Sequence, residues 1–115
     1  MSRSHGLQGE GKAADYLIRL GWTVVERNFY SRLGEIDIIA MSDSGALVFC
    51  EVKTYTSKSW VPPIAAITKK KQRNLVKTAQ YYLLKTGKDD IEMRFDALIV
   101  QGSLVEHFEN IIQLS

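Results

Sequence analysis

Two short segments bring acids and a lysine together at spacings that suit work on a phosphate ester: Gly34-Glu35-Ile36-Asp37 and Glu51-Val52-Lys53. Side chains alternate faces along a strand. If residues 34 to 41 and 46 to 55 are strands, one face of the first carries Leu33, Glu35, Asp37, Ile39 and Met41, and one face of the second carries Leu47, Phe49, Glu51, Lys53 and Tyr55. Gly34, Ile36, Ile38 and Ala40 fall on the other, apolar face. Ser42-Asp43-Ser44-Gly45 lies between the strands and reads as hairpin punctuation. A three-residue loop, Asp43-Ser44-Gly45 with Gly45 left-handed, places Ser42 opposite Ala46. Counting back sets Met41 against Leu47, Ile39 against Phe49, Asp37 against Glu51 and Glu35 against Lys53. A two-residue loop would send Asp37 and Glu51 to opposite faces. The matching apolar half-faces favour the three-residue loop.

Two carboxylates directly across a sheet repel unless a cation compensates them. Mg²⁺ takes oxygen ligands at about 2.0–2.1 Å, commonly one or two carboxylates with waters and phosphate oxygens. Asp37, Glu51 and the backbone carbonyl of Val52 form the expected set for Mg²⁺ or Mn²⁺. Lys53, on the same face as Glu51, is expected to stabilise charge on a scissile phosphate while water attacks. The simpler interpretation is a solvated Glu-x-Lys strand with an ordinary Glu35–Lys53 ion pair. The pairing of Asp37 with Glu51 weighs against it.

The elements that must position these residues follow from periodicity. Residues 7 to 20 read as a helix whose stripe runs Glu10, Ala14, Leu17, Ile18 and Gly21, which puts a carboxylate on its buried side. A helix macrodipole near its N-terminus offers Glu10 a structural alternative. Residues 22 to 28 form a β-branched strand, followed by the hairpin. After Pro62-Pro63, residues 64 to 86 read as one long helix with Leu75, Val76, Ala79, Tyr82 and Leu83 on one face, stopped by Gly87. Residues 94 to 101 are a strand and 104 to 108 a short last one. This order predicts an α/β fold, a central mixed sheet of four to five strands flanked by helices, as a single domain spanning residues 1–115.

Composition narrows the classes. With 115 residues, 45% hydrophobic and 24% charged, the chain suits one globular core. Its apolar runs fall far short of the roughly 20 residues of a spanning helix, and residues 1 to 6 are followed by no signal core, so a soluble, cytoplasmic protein is expected. The single Cys50 excludes a disulfide framework and a cysteine-rich zinc site. The net charge is +2, but residues 52 to 88 hold nine basic residues and no acid. Among these Lys69, Lys70, Lys71, Arg73 and Lys77 are placed to follow a phosphate backbone, with a solvated basic face as the alternative. Trp60 is read as a loop anchor or a base-stacking ring. Asp96 is read as a buried supporting acid or a partner for Arg94, and His5 and His107 as structural or solvated.

Gly9-Glu10-x-x-Ala13, Gly34-Glu35-Ile36-Asp37, Phe49-Cys50-Glu51-Val52-Lys53 and Arg94-Phe95-Asp96 together resemble the YraN-like bacterial proteins of the PD-(D/E)xK nuclease superfamily. The resemblance spans nearly the whole chain. It implies a restriction-endonuclease-like core similar to archaeal Holliday-junction resolvases, with Asp37 and Glu51 as metal-binding acids, Lys53 as the superfamily lysine and Glu10 as an extra helix-borne acid reaching the same site. Ile36 stands where the motif's name has proline, and Tyr55 where the family has arginine. The expected activity is Mg²⁺- or Mn²⁺-dependent endonucleolytic hydrolysis of DNA, at branched or single-stranded structures by kinship, with room for a homodimer. The rival readings are a nucleic-acid-binding module that cuts nothing and a protein-interaction subunit.

Overall fold

The computed structural model describes residues 3–55, 63–88 and 90–113. The element order is helix α1 (Arg3–Arg19), strands β1 (Thr23–Ser31), β2 (Gly34–Met41) and β3 (Leu47–Thr54), a 3₁₀ turn (Pro63–Ala66), helix α2 (Lys69–Thr86), and strands β4 (Met93–Gln101) and β5 (Leu104–Phe108). The strands form one sheet in the order β1-β2-β3-β4-β5. Every neighbouring pair is antiparallel except β3 and β4, which run parallel. A parallel neighbour needs a crossover, and α2 supplies it. The fold is therefore α/β with a five-stranded mixed sheet, as the order of periodic segments predicted.

Each sheet face carries its own core. Phe49, Phe95, Ala97, Leu47 and Ile39 pack with Leu75, Ala79 and Tyr82 of α2. On the opposite face Ile38, Ala40, Val48, Cys50, Leu98 and Val100 pack with Ala13, Ala14 and Leu17 of α1 and with Trp22. Alternating burial on both sides explains why β3 and β4 read as nearly continuous apolar runs. Helix α1 lies close on β3, since a Cβ placed on Gly9 would come within 2.8 Å of Thr54 Oγ1. That approach admits only glycine without a shift of the Thr54 side chain.

The hairpin has the expected register. Ser42 N donates to Ala46 O at 2.8 Å, Gly45 has φ 93°, and Met41↔Leu47, Ala40↔Val48, Ile39↔Phe49 and Ile38↔Cys50 are partners. The three-residue loop Asp43-Ser44-Gly45 is thus present. The ladder ends at Ile38↔Cys50, one pair before Asp37 and Glu51. There the Val52 N–H donates to Asp37 Oδ2 at 2.8 Å, so a side chain takes over a backbone donor where the regular pairing stops.

Several expectations need correction. The long helix expected over residues 64 to 86 is two elements, because Thr68 is an extended N-cap (φ −68°, ψ 167°) whose hydroxyl accepts from Lys71 N at 3.2 Å. Ile18 is 56% exposed, so the buried stripe of α1 runs through Ala13, Ala14 and Leu17. Glu10 sits in the third turn of α1 rather than near its N-terminus, which removes the macrodipole explanation for an acid there. Ile36 packs with Phe29 on the α2 side while Ile38 packs on the α1 side, which breaks strict alternation across Asp37. The adjoining strand β1 has Asn28 left-handed (φ 54°) at this level, between the Arg27↔Ile38 and Phe29↔Ile36 pairs. Trp60 and Lys58 lie outside the described residues. Among the described residues no helix is long and apolar enough to cross a membrane.

Candidate functional site

A cleft of about 770 Å³ opens where β2 and β3 leave their ladder. Glu35 and Asp37 reach it from β2, Glu51, Val52, Lys53 and Thr54 from β3, and Glu10 from α1. Thr68, Lys70, Lys71, Asn74 and Leu75 close it from the first turns of α2. The alternation of β3 directs Glu51 and Lys53 to the same side as Phe49, so the apolar core grades into an ionisable wall along one strand face.

The acids are in an uneasy state. Asp37 is 9% exposed and Glu51 3%. Burial first, and then the charge and direct hydrogen bond of Glu51, push the Asp37 carboxyl up to about 8, with Glu10 adding to the shift and the Val52 N–H opposing it. Two carboxyls in contact cannot both ionise at ordinary cost, and Asp37 is the one whose carboxyl is raised. Lys71 Nζ lies 3.0 Å from Glu51 Oε2, yet that buried oxygen receives no hydrogen bond of acceptable geometry among the described residues. The contact is an ion pair, with the lone pairs of Oε2 poorly served.

The two lysines of the cleft also touch. Burial lowers the Lys53 ammonium below its ordinary value, as does its hydrogen bond with Lys71, against the attraction of Glu51 and Asp37. Lys71 goes the other way: burial opposes its charge, but the hydrogen bond to Lys53 and the Glu51 carboxylate outweigh it. The two neighbouring ammonium groups are thus biased in opposite directions.

The structure brings together Glu10, Asp37, Glu51, Val52 and Lys53 from the sequence-derived site. Glu10, Asp37 and Glu51 all line one cleft. Among the described residues no three His, Cys, Asp or Glu side chains stand close enough to hold an ion by themselves. The reason is topological: α1 packs on the face opposite Glu51, so Glu10 lines the cleft and its charge is felt at Asp37 without completing a cage. The donor set that remains is two buried carboxylates, one with an oxygen lacking a hydrogen bond. This fits a hard divalent ion that keeps waters and takes phosphate oxygens.

Of the five basic residues expected to meet a polyanion, Lys70 and Lys71 line the cleft. Lys70, Arg73 and Lys77 are exposed and spaced i, i+3, i+7, so they form a stripe leading away from it. Lys69, four residues before Arg73, is exposed on the same face. The sequence reading gave Lys71 only a phosphate-binding role and missed its contact with Glu51, and it did not single out Thr68 or Asn74. An N-cap residue type at Thr68 was the one available signal.

Residues 9–100 match the model of the family described as Uncharacterised protein family UPF0102. The chain belongs to the UPF0102 family. A UPF0102 protein of Persephonella marina is 42% identical over 109 residues, covering 95% of this chain and 93% of the relative. One from Desulfosudis oleivorans is 44% identical over 100 residues (87% and 80%), and one from Helicobacter pylori 42% over 109 residues (95% and 91%). The UPF0102 match begins one residue before Glu10 and contains every residue of the cleft, but stops before β5.

Proposed function

We propose that this UPF0102 protein is a nuclease of the PD-(D/E)xK type that uses Mg²⁺ or Mn²⁺ to hydrolyse DNA phosphodiester bonds. The observation that carries the reading is the buried Asp37–Glu51 pair beside two lysines in a cleft whose rim is basic. Such a pair is unfavourable for a sheet and useful for holding a divalent cation. Asp37 and Glu51 would be its ligands, with Glu10 acting on the pair through charge. When bound, the ion supplies Lewis-acid polarisation of a phosphoryl oxygen and acidifies water. Lys53 is placed to neutralise charge that develops on the phosphate oxygens. Water adds to phosphorus, one P–O ester bond breaks, and the departing alkoxide takes up a proton. Lys70, Arg73 and Lys77 would hold the flanking phosphates, giving salt-sensitive binding. A restriction-endonuclease-like core agrees with the mixed sheet and its two flanking helices.

The Lys71–Glu51 ion pair supports a second reading, a nucleic-acid-binding module that keeps an internal cation in place of a metal. The two separate cleanly. Purified protein with Mn²⁺ is assayed on branched, single-stranded and duplex DNA beside Asp37→Ala and Lys53→Ala. A nuclease loses on the order of 10²-fold or more of its cleavage in each variant. Equal residual cleavage in all three proteins rejects it, and binding that survives EDTA and loss of Asp37 favours the module.

A further inference from the structure

We infer that Lys71 is a displaceable counter-cation: its ammonium holds the Asp37–Glu51 pair together when no divalent ion is bound, and must leave Glu51 for the ion to enter. The inference rests on the metal site proposed above and adds the exchange by which that site is filled.

The geometry sets up a competition. Lys71 Nζ is 3.0 Å from Glu51 Oε2, the buried oxygen that receives no well-formed hydrogen bond and so is the one most available to a metal. An ammonium and a divalent cation cannot share one carboxylate oxygen without strong like-charge repulsion. The two partners differ in freedom. The Glu51 side chain is 4% exposed and fixed in β3, whereas that of Lys71 is 39% exposed and ends a flexible four-carbon stem. Lys71 also occupies the first turn of α2, where the macrodipole disfavours a cation. Lys71 is therefore the member that moves. Swinging out brings it beside Lys70 at the rim of the cleft, where a polyanion would be met.

Charge accounts for both states. Without metal, one ammonium stands against the Glu51 carboxylate. With metal, two positive charges replace it and the ammonium is free for phosphate. Removing the Lys71 charge should therefore harm the metal-free protein and help metal binding, opposite signs that a purely structural or purely DNA-contacting lysine does not produce.

The test is thermal melting and calorimetric Mn²⁺ titration of the full chain as wild type, Lys71→Met and Lys71→Arg, without DNA. In EDTA, Lys71→Met should melt about 4 °C or more below wild type. Its Mn²⁺ affinity should rise about tenfold, with a larger metal-induced increase in melting temperature. Lys71→Arg should retain wild-type behaviour in both. In a Glu51→Gln background, Lys71→Met should no longer lower the melting temperature. Lys71→Gln replaces Lys71→Met if the latter does not fold. Mn²⁺ affinity in Lys71→Met equal to or weaker than a responsive wild type overturns the role of Lys71 alone. No Mn²⁺ response in any of these proteins overturns the metal site as well.

Discussion

Two places in the sheet bury carboxylates within a few residues of each other, and they are built in opposite ways. Asp96 on β4 is completely buried, yet it is fully served. Arg94 Nε and Nη2 donate to it at 3.1 and 3.2 Å, His107 Nε2 lies at 2.7 Å, and Asn110 N donates at 2.9 Å. Burial pushes the Asp96 carboxyl up, but the hydrogen bonds from His107, Arg94 and Asn110 outweigh it and hold the group below the usual carboxylate range. Around it, Trp22 meets the His107 ring edge-on and lies under Arg94. The Asp37–Glu51 pair is less deeply enclosed, its carboxyls are hydrogen-bonded to each other, and Asp37 is raised. A carboxylate whose every partner is intramolecular has nothing left to offer a ligand. One that is left in need of a cation does, and the cleft lies at that one.

The largest expected effect tests the satisfied side. Asp96→Ala strands the partly buried Arg94 and the buried ring of His107, and releases the segment whose Asn110 and Ile111 amides bond to β4. Breaking such a buried pair costs about 3–5 kcal/mol. Denaturant unfolding should show that loss, while Mn²⁺ affinity measured on the folded fraction stays within about twofold. A loss below about 1 kcal/mol would mean the network is ornamental and the contrast empty.

Asp37→Asn should do the reverse. The amide keeps an oxygen for the Val52 N–H and cannot repel Glu51. In EDTA at pH 8 it is expected to stabilise the fold by about 1–2 kcal/mol while abolishing cleavage, the trade between stability and function that strained sites show. Because the folded carboxyl is raised from 3.8 to about 8, its contribution is complete below pH 4 and is lost as pH rises through 8. Wild type should therefore lose stability across that window relative to Asp37→Asn, by at most about 1.4 kcal/mol per pH unit. Asp96, being lowered, contributes with the opposite sign: its stabilisation is present above the usual carboxylate range and disappears as pH falls through its own titration. Parallel pH profiles for wild type and Asp37→Asn would refute the frustrated pair.

How much of this contrast the chain reveals unaided depends on the range of each contact. The hairpin register was legible because two local signals agreed, a glycine placed for a left-handed loop position and apolar half-faces that match only when Asp37 meets Glu51. A mixed sheet flanked by helices followed from the order of periodic segments, but the parallel pairing of β3 with β4 and the side each helix takes did not, because no local signal names a strand's neighbour. Ile36 was misplaced because its side depends on the neighbouring strand, where Asn28 is left-handed. The ion pair of Lys71 with Glu51 joins the first turn of a helix to a strand twenty residues earlier, and no periodicity encodes such a meeting. Asp96 was read as a buried supporting acid or a partner for Arg94 and is both, but its other partners come from β5 and the segment after it. Glu10 was read from a helical stripe as reaching the acidic site, and it lines that cleft.

The smallest expected effect concerns the outer edge of the satisfied network. Tyr16 reaches from α1 so that its hydroxyl lies 3.0 Å from His107 Nδ1, and its ring meets the imidazole edge-on at 5.5 Å. With the His107 proton on Nε2 facing Asp96, Nδ1 is an acceptor and the tyrosine hydroxyl donates to it. Tyr16→Phe removes that donor and keeps the ring contact, so it should cost about 1 kcal/mol, the net worth of one hydrogen bond plus a partly relieved acceptor. In the Asp96→Ala background the cost should shrink, because His107 is then free to turn and satisfy its nitrogens elsewhere. Strict additivity of the two substitutions would show that Asp96 does not orient His107. The network would then be a set of independent bonds around one carboxylate, and its contrast with the acidic cleft would rest on Arg94 and Asn110 alone.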